Sequence, residues 1–306
     1  MFLLVAAALA APTLLTEALG ADLGDSPSLV HAQGQWWLYA CEGGSVTLHT
    51  SADARTWTDA GVAYAPSTVN DSEGACPASV LADAGIDGHD WGMWYAATAD
   101  DGTQTIMLAT SDDGRAWSPW GVAWACGKNP CGAPVAMRVG KYHLWVHTEA
   151  DDNGGTRLRV HKSEDGTTWS SGLPFVLPGG ETEIDIAYMG GGYRVLASNG
   201  AGAVLYEGVE IEGEMTEVAR LDNCQPGGVA LARDPDGIVD NTADFLGLVT
   251  GPSPVLLTGV SETESLPCAV DTWDSGIGGG EEGCGGCGGS ALLWPLVLIG
   301  RRERAR

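Results

Sequence analysis

Cations are scarce in this sequence: 15 Lys and Arg stand against 40 Asp and Glu, for a net charge of −25 at pH 7. Four arginines and one glutamate lie in residues 301–306, a local charge of 4 − 1 = +3, so the remainder carries −28. A surface of that sign repels phosphate backbones and excludes nucleic acid as a partner. Helical periodicity is missing as well. Beyond residues 1–20, no dozen consecutive residues keep apolar side chains at intervals of three and four, so helix is excluded as the main element. Long apolar runs are also lacking: Ala291–Ile299 falls short of the roughly 20 residues of a spanning helix, and Pro295 interrupts it. The 6 histidines are scattered without metal-ligand spacing. No Ser-His-Asp triad can be located, and no glycine loop opens a helix to cradle a phosphate.

What the chain has in quantity is glycine, 45, and tryptophan, 12, with short apolar runs between clusters of Gly, Asp and Ser. That composition suits many short strands and tight turns. One turn repeats. Ser111-Asp112-Asp113-Gly114-Arg115-Ala116-Trp117 closes the apolar run Ile106–Thr110, and Ser163-Glu164-Asp165-Gly166-Thr167-Thr168-Trp169 follows Leu158–His161. A weaker copy, Ser51-Ala52-Asp53-Ala54-Arg55-Thr56-Trp57, follows Val46–Thr50. Gly takes positive φ and Asp bonds the backbone just ahead, so these turns are structural.

A longer phrase recurs around them: a Pro, a short apolar strand, an aromatic second strand, and a third strand running into a turn. It starts at Pro27, Pro77, Pro134 and Pro226, with Asp185 in the fourth place, at spacings of 50, 57, 51 and 41 residues. Pro is tolerated at the first residue of a strand, where its missing N–H costs no ladder bond. The aromatic strands supply the apolar area that packs one unit on the next. Five such units predict an all-β, five-bladed β-propeller over residues 22–260, because radial closure shelters strand edges. A β-sandwich competes but gives no reason for a fivefold phrase.

Residues 1–21 read as a secretory signal peptide, with the apolar run Phe2–Ala10 ahead of small residues at Ala18 to Ala21; a buried first strand is the alternative. Residues 261–283 form a linker rich in Gly, Ser and Glu, and residues 284–306 form a tail. In that tail, Cys284 and Cys287 bracket two glycines, without the second pair or the histidines of a zinc site. The six cysteines 41, 76, 126, 131, 224 and 268, in an exported chain, are expected to be disulfide-bonded. Cys126 with Cys131 is the first expected pair, as the ends of a tight loop; Cys41 with Cys76 and Cys224 with Cys268 follow from proximity.

In a propeller the inner strand of each blade begins at one mouth of the central channel. Polar groups beside the repeat Pro therefore converge there: Asp25, Glu73, Glu181, Glu183, Asp185 and Gln225. Glycoside hydrolysis needs two carboxylates, about 5 to 5.5 Å apart for retention or roughly 6.5 to 9.5 Å for inversion. Neighbouring acids also raise one another's pKa, which suits a general acid. Asp25, Glu183, Asp185 and Glu73 are thus the candidate catalytic residues. Gln225, Trp120 and Trp124 are candidates for substrate binding, the two tryptophans by stacking on sugar faces, with blade packing as the competing reading. No metal is required. Two acidic loops, Asp151-Asp152-Asn153 and Asp234 to Asp244, offer oxygen ligands for Ca²⁺ but lack EF-hand spacing.

The blade phrase resembles the five-bladed propeller glycosidases of glycoside hydrolase family 43 and the related family 32. The resemblance implies a base from an Asp-Pro in the first blade, a modulating Asp in the third and a general-acid Glu from Glu-x-Pro in the fourth. Asp25-Ser26-Pro27 looks like the first with one residue inserted, and Glu183-Ile184-Asp185 looks like the last, with Asp185 in the Pro place. The third unit reads Cys131-Gly132-Ala133-Pro134 and lacks its Asp, leaving Glu73, Glu181 or Asp185 to compensate. The Ser-x-Asp-Gly-x-x-Trp turns resemble the Asp-box of sialidases, without the arginine triad those enzymes use. The order of Cys motif, short apolar run and Arg cluster resembles the myxobacterial C-terminal sorting domain of the MYXO-CTERM type. That likeness implies export, processing near the cysteines and retention at the cell surface. The expectation is therefore an exported monomer acting on polysaccharide, touching a membrane only through its tail before processing. A propeller that has lost catalysis and binds a glycan or surface partner is the alternative.

Overall fold

The computed structural model describes residues 12–126, 131–150, 156–181, 183–198, 200–222 and 226–261. Among these there are twenty β-strands and no α-helix. After β1 (Thr13–Ala18) comes a four-stranded antiparallel run of β2 (Asp25–Ala32), β3 (Gln35–Glu42), β4 (Ser45–Ser51) and β5 (Thr58–Tyr64). A second run holds β6 (Ala78–Leu81), β7 (Trp91–Thr98), β8 (Gln104–Ser111) and β9 (Ser118–Ala125). A third holds β10 (Cys131–Val139), β11 (Tyr142–Ala150), β12 (Thr156–Ser163) and β13 (Leu173–Phe175). The fourth is β14 (Glu183–Tyr188), β15 (Tyr193–Ser198), β16 (Gly202–Gly208) and β17 (Thr216–Asp222). In the fifth, β18 (Gly228–Leu231), β19 (Gly247–Thr250) and β20 (Val255–Ser261) are completed by β1, which lies antiparallel to β20 from Thr13↔Ser261 to Ala18↔Val255. A single parallel contact, Thr13↔Arg220, joins the fourth and fifth runs into one eight-stranded sheet.

β1 lies within residues 1–21. Its Leu14 is fully buried, and Leu19 and Leu23 just beyond it pack beside Trp36 and Phe245, so the folded body begins ahead of residue 22. The physical reason is closure. β1 occupies the outer place of the last sheet and covers the edge that β20 would otherwise leave open.

Sheets stacked face to face bury both sides of their middle strands. Trp36 to Ala40 of β3 and Trp91 to Ala97 of β7 are accordingly continuous buried runs, whereas Thr58 to Val62 on the outer strand β5 is exposed. Among the described residues the core forms five clusters, each filling the interface between two successive runs, and the last couples the fifth run to the first. The chain is an all-β propeller.

The inner strands β2, β6, β10, β14 and β18 neighbour one another in a closed ring, but no backbone ladder joins them. Side chains bridge the gaps. Val80 N donates to Ser28 Oγ at 3.0 Å, Ala136 N to Ser79 Oγ at 2.9 Å, and Leu231 N to Asp185 Oδ2 at 2.7 Å. At the far end of the ring the chain after β18 crosses the channel and collects the inner strands. His31 N donates to Arg233 O at 2.8 Å, Ala82 N to Pro235 O at 2.9 Å, Arg138 N to Asp236 O at 2.9 Å, and Val239 N to Tyr188 O at 2.8 Å. Because this segment forms a floor, the channel opens at the mouth where the inner strands start.

The repeated turns lie at the floor end. Asp113 accepts N–H bonds from Arg115 at 2.8 Å and Ala116 at 2.9 Å, Gly114 N donates to Ser111 Oγ at 3.0 Å, and Trp117 Nε1 donates to Gly114 O at 3.0 Å. Gly114 has φ +74°, and a Cβ there would stand 2.9 Å from Tyr39 Oη and 3.0 Å from Trp91. Cys41 is bonded to Cys76 and Cys126 to Cys131, as expected. Cys224, Cys268, Cys284 and Cys287 lie outside the described residues.

Candidate active site

The starts of all five inner strands line a cavity of about 280 Å³ at the mouth. Ser26 to Ser28, Pro77 to Ser79, Ala133 to Val135, Glu183 with Ile184, and Val229 each supply part of the wall, and Thr148 and Thr156 complete it. The wall contains no Lys or Arg among the described residues. Pro27, Pro77 and Pro134 therefore do more than begin strands: they line the rim.

Glu183 is half-buried in this wall, opposite Ser198 on β15, whose hydroxyl bonds its carboxylate. Burial pushes its carboxyl above the usual range, and the charge of Asp25 pushes it further the same way. Both effects disfavour the ionised form, as in a general acid that must hold its proton near neutral pH. Asp25, exposed at the start of β2, is the neighbour of the cavity residue Ser26 and does not itself line the cavity. It sits against the start of β18, where a Cβ on Gly227 would lie 2.2 Å from Asp25 Oδ1, and Ser26 N donates to Gly227 O at 2.9 Å. The glycine pair after Pro226 is thus a site feature, because only residues without side chains let β18 approach Asp25 this closely.

The backbone also shows how the third run differs from the first. Ser26 and Ala133 both hold positive φ, 47° and 40°, immediately before the repeat Pro. The ladder slips in the same place in each, between Asp25 and Ser28 and between Gly132 and Val135. Gly132 is therefore the counterpart of Asp25. Where that carboxylate would stand, a Cβ would meet Thr148 Oγ1 at 3.3 Å.

Five other expected site residues sit elsewhere. Asp185 is fully buried below the mouth, accepting from Ile186 N at 3.0 Å and Leu231 N at 2.7 Å, with Arg233 Nη1 3.4 Å away. It takes the place of the serine bridges of the first two runs and does not line the cavity. Glu73 is exposed in the loop ahead of β6, where its backbone N donates to Thr98 O, and it does not line the cavity. The buried acid in that loop is Asp71, which accepts from Tyr64 Oη at 2.7 Å and Tyr95 Oη at 2.9 Å and fixes the loop. Glu181 is buried against Tyr206 at 2.9 Å. Trp120 and Trp124 both lie on the outer strand β9: Trp120 Nε1 donates to Asp87, and Trp124 packs on His161 with ring centroids 4.5 Å apart. Blade packing, not the mouth, explains Trp124. Gln225 lies outside the described residues.

No group of three or more His, Cys, Asp and Glu is arranged to hold a metal ion among the described residues. Two acids of the 234–244 loop are engaged otherwise. Asp240 pairs with His31 at 3.0 Å and accepts from Thr242, and Asp244 pairs with Arg55 at 3.2 Å. Residues 151–153 lie outside the described residues.

A family 117 glycoside hydrolase from the marine bacterium Zobellia galactanivorans aligns over 81% of this chain and 91% of its own, with a TM-score of 0.61 at 12% identity. The fold is that of the propeller glycoside hydrolases. An endo-arabinase from Bacteroides thetaiotaomicron aligns over 82% of this chain and 99% of its own, with a TM-score of 0.62 at 12% identity. A thermostable family-43 glycoside hydrolase aligns over 80% and 91%, with a TM-score of 0.61 at 13% identity. No protein-family model and no curated protein matches the chain.

Proposed function

We propose that this protein is a five-bladed carbohydrate-active propeller that hydrolyses a polysaccharide at its mouth, with Glu183 as general acid and Asp25 as general base or nucleophile. One observation carries the reading: Glu183 stands in the wall of a channel closed at its other end, with its carboxyl raised by burial and by Asp25. The protonated acid gives its proton to the departing glycosidic oxygen, while Asp25 activates a water or attacks the sugar carbon. The glycoside hydrolases of the same fold support the substrate class. Export with retention at the cell surface, through the Cys284–Cys287 tail, completes the proposal and suits a chain with disulfides and an acidic surface.

Gly132 favours a second reading. With no carboxylate at the counterpart of Asp25, the same mouth would bind a glycan without cleaving it. Reducing-end release from arabinan, xylan, galactan, fructan and bacterial wall polysaccharides separates the two. Hydrolysis that Glu183→Gln and Asp25→Asn each reduce by at least about 100-fold, with unfolding midpoints unchanged, supports the hydrolase. Retention on one of these polymers without release supports the binding propeller and removes the catalytic assignment.

A further inference from the structure

Arg233 follows β18 directly, belongs to the segment that floors the channel, and is fully buried. Its guanidinium donates from Nη2 to Ser28 Oγ at 3.0 Å, from Nη1 to Ala136 O at 3.1 Å, and from Nε to Leu29 O at 3.4 Å. Nη1 also lies 3.4 Å from Asp185 Oδ1. One side chain rooted beyond β18 thus reaches β2, β10 and β14. In the ring, β2 and β14 are separated by β18, and no ladder ties them together. Those two strands carry the mouth carboxylates: Asp25 is three residues before Ser28, and Glu183 is two residues before Asp185.

A buried ion pair of this kind is weak evidence for stability, because desolvating both charges costs about as much as their attraction returns. What a guanidinium supplies here is geometry. Its planar fork fixes several acceptors at once, which a compact ammonium or an apolar side chain cannot do. We propose that Arg233, seated on Asp185, is a positioning residue that sets the separation of Asp25 and Glu183 from the floor beneath them. Its bearing on activity rests on the acid/base reading above; its geometric content does not.

The test uses the full chain carrying Asp185→Leu with Arg233→Met, which removes both charges together and so changes the local net charge by zero. Carbon-13 NMR of the side-chain carboxyls follows Glu183 directly. The proposal expects a folded variant in which the Glu183 titration midpoint falls toward the ordinary carboxylate value, because Asp25 and the desolvating wall no longer hold their places. Hydrolysis falls about 10- to 100-fold with it. Gly114→Ala, which strains a floor turn and leaves Arg233 in place, is expected to lower the unfolding midpoint without moving that titration. A folded paired variant with unchanged Glu183 titration and activity overturns the proposal. Should the paired variant fail to fold, Arg233→Lys keeps the charge beside Asp185 without the fork, and Ser28→Ala removes one tie to β2. An unmoved titration in both is equally fatal. If the wild-type protein releases sugar from no polysaccharide while Glu183 still follows Arg233, the hydrolase reading fails and the positioning role stands.

Discussion

The repeated turns and the mouth of this channel treat carboxylates in opposite ways. Asp53 and Asp113 each take two backbone N–H bonds inside a turn, which hold their carboxyls below the usual range. Asp165 does the same beside Thr167 and Thr168. At the mouth, Glu183 faces partial burial, a like charge and a single hydroxyl, and its carboxyl moves up. Donors aimed at the anion stabilise it, whereas removal of water and a neighbouring anion do the reverse. The turns spend their acids on structure. The mouth leaves one with its carboxyl raised.

The largest effect is expected where the two ends meet. Arg233→Met alone strands Asp185 in the core without its cation, and urea unfolding should show a loss of about 3 to 5 kcal/mol. The paired Asp185→Leu/Arg233→Met variant should recover most of it, and a loss as large as that of the single change would mean that the pair holds the fold together rather than the mouth in register. Next in size is Gly114→Ala. Positive φ and contact with Tyr39 and Trp91 make a cost of about 2 kcal/mol, read as a lower thermal midpoint, and a neutral result would show that the turn is not the fixed element described here.

Away from both ends, His147 and His161 are buried in the interface of the second and third runs with Nε2 atoms 3.2 Å apart. Burial, and then the neighbouring His161, pushes His147 down to about 3, and burial lowers His161 as well. A base with a depressed folded pKa contributes stability that is fully present above its unfolded value, near 6.5, and is lost as pH falls below it. Stability should therefore drop by about 1 to 2 kcal/mol through His147 between pH 6.5 and 5, with His161 acting in the same direction, and His147→Gln should flatten that slope. Glu183 has the opposite sign. An acid with a raised folded pKa is strained while ionised, so acidification relieves it, and Glu183→Gln should stabilise the protein by less than about 1 kcal/mol at pH 7. A destabilising Glu183→Gln would place that side chain with the structural acids of the turns.

Much of the architecture was legible because its signals are local. The recurring Pro, the aromatic second strands and the Asp-Gly turns each act within a few residues, and their five repeats correspond in position to the five four-stranded runs. The Cys41–Cys76 and Cys126–Cys131 pairs followed from short separations. The site was only partly legible. Asp25 and Glu183 were marked by their place beside the repeat Pro, but so were Glu73 and Asp185, which the same rule could not tell from them. Trp124 carried the aromatic signal of a sugar platform, yet the third sheet covers it. Pro226-Gly227-Gly228 was a usable sign of close backbone approach beside Asp25. Nothing local marked Arg233, whose three acceptors are 97 to 205 residues distant in sequence.

By itself the sequence determined the strands, their turns and the unit repeated around the axis, because periodicity, turn chemistry and proline act through neighbouring residues. Only the tertiary structure decided that the first strand closes the last sheet, that the segment after β18 floors the channel, and which carboxylates face the mouth. Those outcomes depend on closing the ring. Burial and charge at Asp25, Glu183 and Asp185 are properties of strands from different units, and no single stretch of chain contains them.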